Sequence, residues 1–120
     1  MYAPRIQSAH TDMPLRPVEF HILLALAAEE RHGYGLLQEV ASLTDGELQL
    51  EPGTLYRALH RMLKDGWVAE SARRPAADLD DERRRYYRLT PAGRRVASAE
   101  AERLWRLVTI ARAHRLLSRA

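Results

Sequence analysis

Apolar residues recur at the three- and four-residue spacing of an α-helix in four stretches of the chain. These stretches cover residues 15–30, 34–44, 52–64 and 91–117. Pro52 and Pro91 suit the first turn of a helix because the backbone N–H that proline lacks would have no partner there. Thr90 precedes Pro91 as a potential N-cap. The pattern predicts three short helices followed, after an interruption, by a long one.

The interruption has the two-residue period of β-strands. Residues 67–72 and 86–90 are short segments rich in aromatic and β-branched residues, and a polar loop separates them. We expect Trp67 to pack at the base of this hairpin and one of the two tyrosines, Tyr86 or Tyr87, to face the core. The order predicts a mainly α fold, a winged helix-turn-helix with a β-hairpin wing and a long C-terminal dimerisation helix.

The length of 120 residues suits one core with an added helix. We expect an N-terminal arm at residues 1–13, a winged helix-turn-helix DNA-binding domain at residues 14–90 and a dimerisation helix at residues 91–120. No apolar run reaches the roughly 18 residues of a membrane span. The chain has no cysteine, which excludes disulfides and thiolate metal sites and fits a reducing cytoplasm, the expected location.

Charge is distributed unevenly along the chain. Residues 12–51 contain two basic and eight acidic side chains, whereas residues 52–95 contain eleven basic and six acidic ones. Such asymmetry is typical of a protein with one face for a polyanion. All basic residues except Lys64 are arginine, which suits phosphate and guanine. An arginine-rich proteome would also explain that bias.

The third predicted helix divides into an apolar face, centred on Leu55, and a polar face that contains no acid. An α-helix fits the major groove, where arginine can bind guanine. The alternative is an ordinary solvated face, and His60 is either a DNA contact or a solvated side chain. The candidate DNA-binding residues are Gly53, Thr54, Tyr56, Arg57, His60, Arg61 and Lys64.

Arginines also flank the tip of the predicted wing. Arg73 and Arg74 follow the first strand, and Arg83, Arg84 and Arg85 precede the second. These positions suit a phosphate ridge or the minor groove, so Arg73 and the Arg83–Arg85 run are further candidate DNA contacts. Four acids in the same loop leave open the alternative of a self-neutralised tip.

The last helix carries a second apolar stripe that extends beyond a three-helix core. A second copy of the chain is the simplest cover for it, and the alternative is a helix folded back on its own core. Trp105 lies next to this stripe and is either a packing residue or one wall of an effector pocket with Leu104. The candidate dimerisation residues are Leu104, Leu107, Val108, Ala111 and His114.

Several segments, in this order and spacing, resemble the PadR family of bacterial transcriptional regulators over residues 15–117. They are His32-Gly33-Tyr34-Gly35, Gly53-Thr54-Leu55-Tyr56 with Leu59, Leu63-Lys64-Asp65-Gly66, and Arg83-Arg84-Arg85-Tyr86-Tyr87-Arg88-Leu89-Thr90 with Gly93. With a single helix after the wing, the chain looks like the short branch of the family.

The resemblance implies a homodimer that binds a palindromic operator on double-stranded DNA and represses a neighbouring gene. In some members a small aromatic or drug-like effector releases the DNA. Thr54, Tyr56, Arg57 and His60 fall where such proteins place contacts from the recognition helix. Two positions depart from the pattern: Glu82 stands where a glycine often precedes the arginines, and Trp105 comes one residue late, about 100° around the helix.

The expected function is a sequence-specific transcriptional repressor. The alternative is a winged-helix module whose partner is a protein. An enzyme is not expected because the sequence has no glycine-rich phosphate loop, no cluster of metal ligands and no Ser/His/Asp set at a recognisable spacing. We therefore expect neither a cofactor nor a metal.

Overall fold

The apolar stripes of the helices meet in one core. The computed structural model describes residues 15–72 and 85–118, and within them four helices pack with a small sheet. The elements in chain order are α1 (Pro17–Ala28), β1 (Arg31–His32), α2 (Gly33–Leu43), α3 (Pro52–Lys64), β2 (Val68–Glu70), β3 (Tyr86–Leu89) and α4 (Pro91–Ala113). The predicted mainly α fold with a small sheet is confirmed. The N-terminal arm and most of the wing tip lie outside the described residues.

Helix α1 supplies much of the core. Ile22, Leu23, Ala25 and Leu26 are buried, and they pack with residues of α2 and α3 such as Leu36 and Leu59. Burial of each isoleucine or leucine side chain contributes about 1.5–3 kcal/mol to folding. The core therefore holds α3 at a fixed angle on the body of the protein.

The sheet has one more strand than the sequence predicted. It is antiparallel in the order β1-β3-β2, and β1 pairs Arg31 with Tyr87 and His32 with Tyr86. The sequence pattern predicted only a break between the helices at residues 31–33, so this prediction was incomplete. Two residues are too few for an alternating pattern, so the strand is visible only through its pairing with β3.

The last helix ends earlier than predicted, at Ala113 instead of near Leu117. The amide of Leu116 donates to the carbonyl of Ala111 at 2.9 Å, and Arg115 has a φ of 62°. This is a Schellman motif, which ends a helix with one left-handed residue. The left-handed residue is usually glycine, and an arginine in its place gives no signal in the sequence.

The first half of α4 lies on the body of the protein, where Gly93 and Val96 are buried. A methyl group at Gly93 would overlap the backbone carbonyl of Trp67. Trp67 is itself buried at the base of the hairpin, as expected. No helix within the described residues is long and apolar enough to span a membrane. The boundary proposed between residues 90 and 91 stays a prediction.

Candidate nucleic-acid interface

Helix α3 turns one side into the core and the opposite side to solvent. Its apolar residues Leu55, Ala58, Leu59 and Met62 are buried. No acid occurs between Pro52 and Lys64, so the solvent side of α3 carries positive charge only. We call the exposed residues of this side the recognition face: Gly53, Arg57, His60, Arg61 and Lys64.

The cations of the recognition face differ in their partners. Neither Arg57 nor Lys64 forms an ion pair with a described residue, and the Arg57 guanidinium donates to the Thr54 hydroxyl at 3.3 Å. Arg61 instead lies 3.6 Å from the Glu19 carboxylate of α1. The period of α3 alone does not reveal this carboxylate, because Glu19 belongs to another helix. Among the described residues, Arg57 and Lys64 are therefore the cations of this face with no competing carboxylate.

Tyr56 lies at the edge of the recognition face and is half-buried against the core. Its hydroxyl occupies the space that a side chain at Gly33 would need. This close approach joins α3 to the beginning of α2. The packing of Tyr56 gives it a role in positioning α3. Its predicted contact with DNA stays a prediction.

Of the predicted wing arginines, only Arg85 lies within the described residues. Arg85 lies 3.5 Å from the Glu70 carboxylate, and its side chain is 42% exposed. Tyr87 is the tyrosine that faces the core, at 2% exposed. Tyr86 packs its ring edge against His32 at a centroid distance of 5.2 Å. Arg73, Arg83 and Arg84 lie outside the described residues, and their DNA contacts stay predictions.

Tyr34, part of the family motif at residues 32–35, is an exposed residue close to α3 that was not among the predicted DNA contacts. It lies in the first turn of α2, directly after Gly33, and is 61% exposed. A signal existed in the sequence, because Tyr34 is absent from the apolar stripe that runs through Leu36 and Val40. The contact between Gly33 and Tyr56 places Tyr34 beside α3, and a contact between two helices gives no signal in the sequence.

The segment that contains the recognition face and the wing matches a known protein family. The model of the transcriptional regulator PadR-like family matches residues 22–99, which include α2, α3 and the wing. The chain belongs to the PadR-like family. It is a transcriptional regulator of that family, and the predicted resemblance is confirmed.

One curated relative supports this assignment at the level of sequence. The transcriptional regulator Rv3488 of Mycobacterium tuberculosis is 43% identical over 77 residues, covering 64% of this chain and 65% of that protein. The match thus spans slightly less than two thirds of the relative. What this PadR-like protein regulates is therefore a matter for proposal.

Solved structures support the fold. A transcriptional regulator from Clostridium thermocellum superposes with a TM-score of 0.64 at 24% identity, covering 95% of this chain and 96% of the other. Bacillus subtilis PadR, in complex with operator DNA, gives a TM-score of 0.59 at 20% identity, covering 71% of this chain and 46% of that one. Both confirm the winged-helix architecture.

The second half of α4 in this PadR-like protein is exposed along its apolar side. Leu107 and Ile110 are 50% and 54% exposed, and Val108 is 37% exposed. Leu104 and Ala111 are half-buried, and His114 lies at the C-cap, just after the helix. These residues continue the side of α4 on which Val96 and Glu100 are buried. One stripe therefore begins in the core and continues uncovered.

Trp105 lies on another side of α4, about 160° from Leu107 around the helix axis. It is 61% exposed. The guanidinium carbon of Arg112 lies 5.6 Å from the centre of its ring, a cation–π contact. Trp105 is thus far from Leu107 but only about 60° from Val108, at the edge of the apolar stripe, and its role as an effector contact with Leu104 stays a prediction.

Proposed function

We propose that this PadR-like regulator is a homodimeric repressor that binds a palindromic operator through α3 and the wing. The observation that supports this proposal best is the recognition face, which is exposed and cationic and to which α3 contributes no acid; Glu19 of α1 pairs with Arg61. A solvated helix face commonly mixes both signs of charge. A face with cations alone suits a polyanion.

In this proposal α3 occupies the major groove. Arg57 lies in the second turn of the helix, and the N-terminal residues of a recognition helix are those that contact base edges. Its guanidinium can bind O6 and N7 of guanine with two parallel hydrogen bonds. Lys64 at the other end of α3 contacts a phosphate. Arg85 and the other wing arginines bind the backbone beside this groove.

Dimerisation gives the proposal its symmetry. A single recognition helix buries little surface, and a second one doubles it. The apolar stripe of Leu104, Leu107, Val108 and Ala111 pairs with the same stripe of a second chain. Two-fold symmetry then requires two half-sites about 34 Å apart, one turn of the duplex. A palindromic operator has that arrangement.

Repression follows from occupation of a promoter by such a dimer. Release by a small aromatic or drug-like molecule is supported by the family resemblance alone. Trp105 lies about 160° from Leu107 and about 60° from Val108 around α4, so an effector that stacks on it would bind beside the proposed seam and not at its centre. The proposal therefore includes repression but does not define an effector pocket.

Binding-site selection with the purified protein, followed by salt titration on the selected duplex, tests the proposal. We expect one preferred palindromic sequence and a steep loss of affinity with salt, because bound phosphates release counterions. Arg57→Ala should weaken operator binding by about tenfold or more and random-DNA binding much less, since a base contact contributes about 1–3 kcal/mol.

Arg106→Ala on the exposed side of α4 is the matched control, because it removes the same charge far from α3 in the sequence. It should bind the operator like the wild type. Binding that depends on neither sequence nor salt would contradict the proposal and favour a winged-helix module for protein partners. Equal losses on operator and random DNA would make Arg57 a phosphate contact.

A further inference from the structure

Tyr34 is an exposed aromatic side chain in a well-packed part of the molecule. It is 61% exposed, although the neighbouring Gly33 is buried. Within residues 15–72 and 85–118, no side chain or backbone group forms a hydrogen bond with its hydroxyl. A tyrosine with a solvated ring and a hydroxyl without a protein partner is well suited to contact a ligand.

The backbone at Tyr34 is held from two sides. On one side, the hydroxyl of Tyr56 in α3 fills the space beside Gly33. On the other side, His32 pairs with Tyr86 of β3, and its ring packs on the Tyr86 ring. The Nδ1 atom of His32 also accepts the Gly35 amide at 2.9 Å and caps α2. Tyr34 is therefore fixed relative to both α3 and the wing.

The position of Tyr56 defines which flank of α3 this is. Tyr56 lies about 100° from the buried Leu55 around α3, and His60 and Gly53 follow at about 140° and 160°. The beginning of α2 thus adjoins the edge of the recognition face. Tyr34 lies beside that face and not within it.

The dimensions of DNA then determine what a neighbour of α3 meets. A helix with its side chains is about 10–12 Å across, and the major groove is about 12 Å wide. Helix α3 alone fills the groove. An element packed against its flank lies over the phosphodiester backbone that borders the groove. Tyrosine hydroxyls are among the groups that bind DNA phosphates.

We infer that the hydroxyl of Tyr34 donates a hydrogen bond to a phosphate oxygen of the strand bordering the groove that holds α3. This inference rests on the proposed function. Tyr34 sets the position of α3 along the groove and reads no base. Since the phenol is neutral, its contact adds affinity without releasing a counterion.

Tyr34→Phe tests the inference because it keeps the ring and removes only the hydroxyl. We expect affinity for the selected operator and for random duplex to fall by the same factor, about fivefold for each protomer that contacts DNA. The slope of log affinity against log salt should stay that of the wild type. In contrast, Lys64→Ala should make this slope less steep by about one phosphate contact.

Leu43→Ala is the matched control, since Leu43 is 46% exposed at the opposite end of α2. It should bind as the wild type does, and thermal unfolding should show that Tyr34→Phe is as stable as the wild type. If the wild type binds its operator, two results for Tyr34→Phe overturn this inference and leave the proposed function intact. The variant binds as well as the wild type, or it loses affinity for the operator but not for random duplex. A wild type that binds no duplex overturns both.

Discussion

Glu100 shows how a single side chain anchors the last helix. It lies on the inner side of α4 at 7% exposed, where the helical period would suggest an apolar residue. Its two carboxylate oxygens accept from the Arg103 guanidinium at 3.0 and 2.7 Å. The backbone amide of Leu15 also donates to it. A buried carboxylate with a paired cation and a backbone donor is satisfied, so it ties the segment before α1 to α4.

This environment predicts a dependence of stability on pH. The hydrogen bond from Arg103 lowers the pKa of Glu100, and the Arg103 charge and the Leu15 amide lower it further, whereas burial acts in the opposite direction. The folded protein therefore binds this proton more weakly than the unfolded chain does. The stabilisation is complete above the ordinary pKa of glutamate and is lost as the pH falls through the lowered pKa of the folded state.

Glu100→Gln should reduce the free energy of unfolding by about 1–2 kcal/mol at pH 7. The difference from the wild type should begin to shrink below about pH 4.5, where the unfolded chain takes up this proton, and should be lost below the lowered pKa of the folded state. Urea unfolding at several pH values measures this. Glu102→Gln is the control, because Glu102 is exposed on the same helix. Equal behaviour of the two variants would show that the Arg103 pair contributes nothing to folding.

The sequence predicted which residues of α3 face outward because one helix and its period were enough. It missed the ion pair between Arg61 and Glu19, and it could not choose between Tyr86 and Tyr87. Both depend on contacts between segments that are distant along the chain. Residue-level predictions were therefore correct within an element and incomplete between elements.

At the scale of elements, the ends of the helices illustrate the same difference. Helices α2, α3 and α4 each end in a Schellman motif, with Asp45, Gly66 and Arg115 in the left-handed conformation. The sequence located the first two ends because each has a glycine at the turn. The third was placed about four residues too late, since an arginine in that conformation is costly and uncommon. Strand β1 was missed because two residues carry no period.

Gly66 therefore has a measurable role at the end of the recognition helix. Its φ is 81°, and nothing lies within 4 Å of the place where a Cβ would be. Gly66→Ala should lower the free energy of unfolding by about 1 kcal/mol through backbone strain alone. Chemical denaturation with circular dichroism measures this change.

Gly53→Ala is the matched substitution at the other end of the same helix. Gly53 has an ordinary helical φ, and an added Cβ would meet only the Arg57 guanidinium at 3.4 Å. It should raise stability by about 0.5–1 kcal/mol, since alanine favours a helix over glycine. Destabilisation by both variants to the same extent would argue against the left-handed cap as the reason for Gly66.

At the scale of the whole molecule, the helices and the sheet bury one core, whereas the apolar stripe on the second half of α4 stays exposed. The stripe of α4 is buried at Val96 and Glu100 and exposed from Leu107 onward. The sequence predicted the stripe and that it extends beyond the core, because both follow from its length and period. A second chain cannot be predicted with the same detail from one sequence, since its contacts depend on two surfaces at once.

Leu107→Glu tests the proposed dimer, with Trp105→Glu as its partner variant. Both side chains are at least half exposed in the single chain, at 50% and 61%, so neither change should unfold the protomer. In the proposed seam, Leu107→Glu buries two facing carboxylates without partners, at a cost of about 3–5 kcal/mol. The dimer should then dissociate about a hundredfold to several thousandfold more readily.

Light scattering at micromolar concentration should find the Leu107→Glu protein monomeric and the Trp105→Glu protein dimeric. Operator affinity should fall with the first variant and stay with the second, because two linked recognition helices bind more tightly than one. Dimers of the Leu107→Glu protein would place the interface elsewhere. Monomers of the Trp105→Glu protein would place the interface on the side of α4 that carries Trp105 and Val108, and the uncovered Leu107 would then need a different partner.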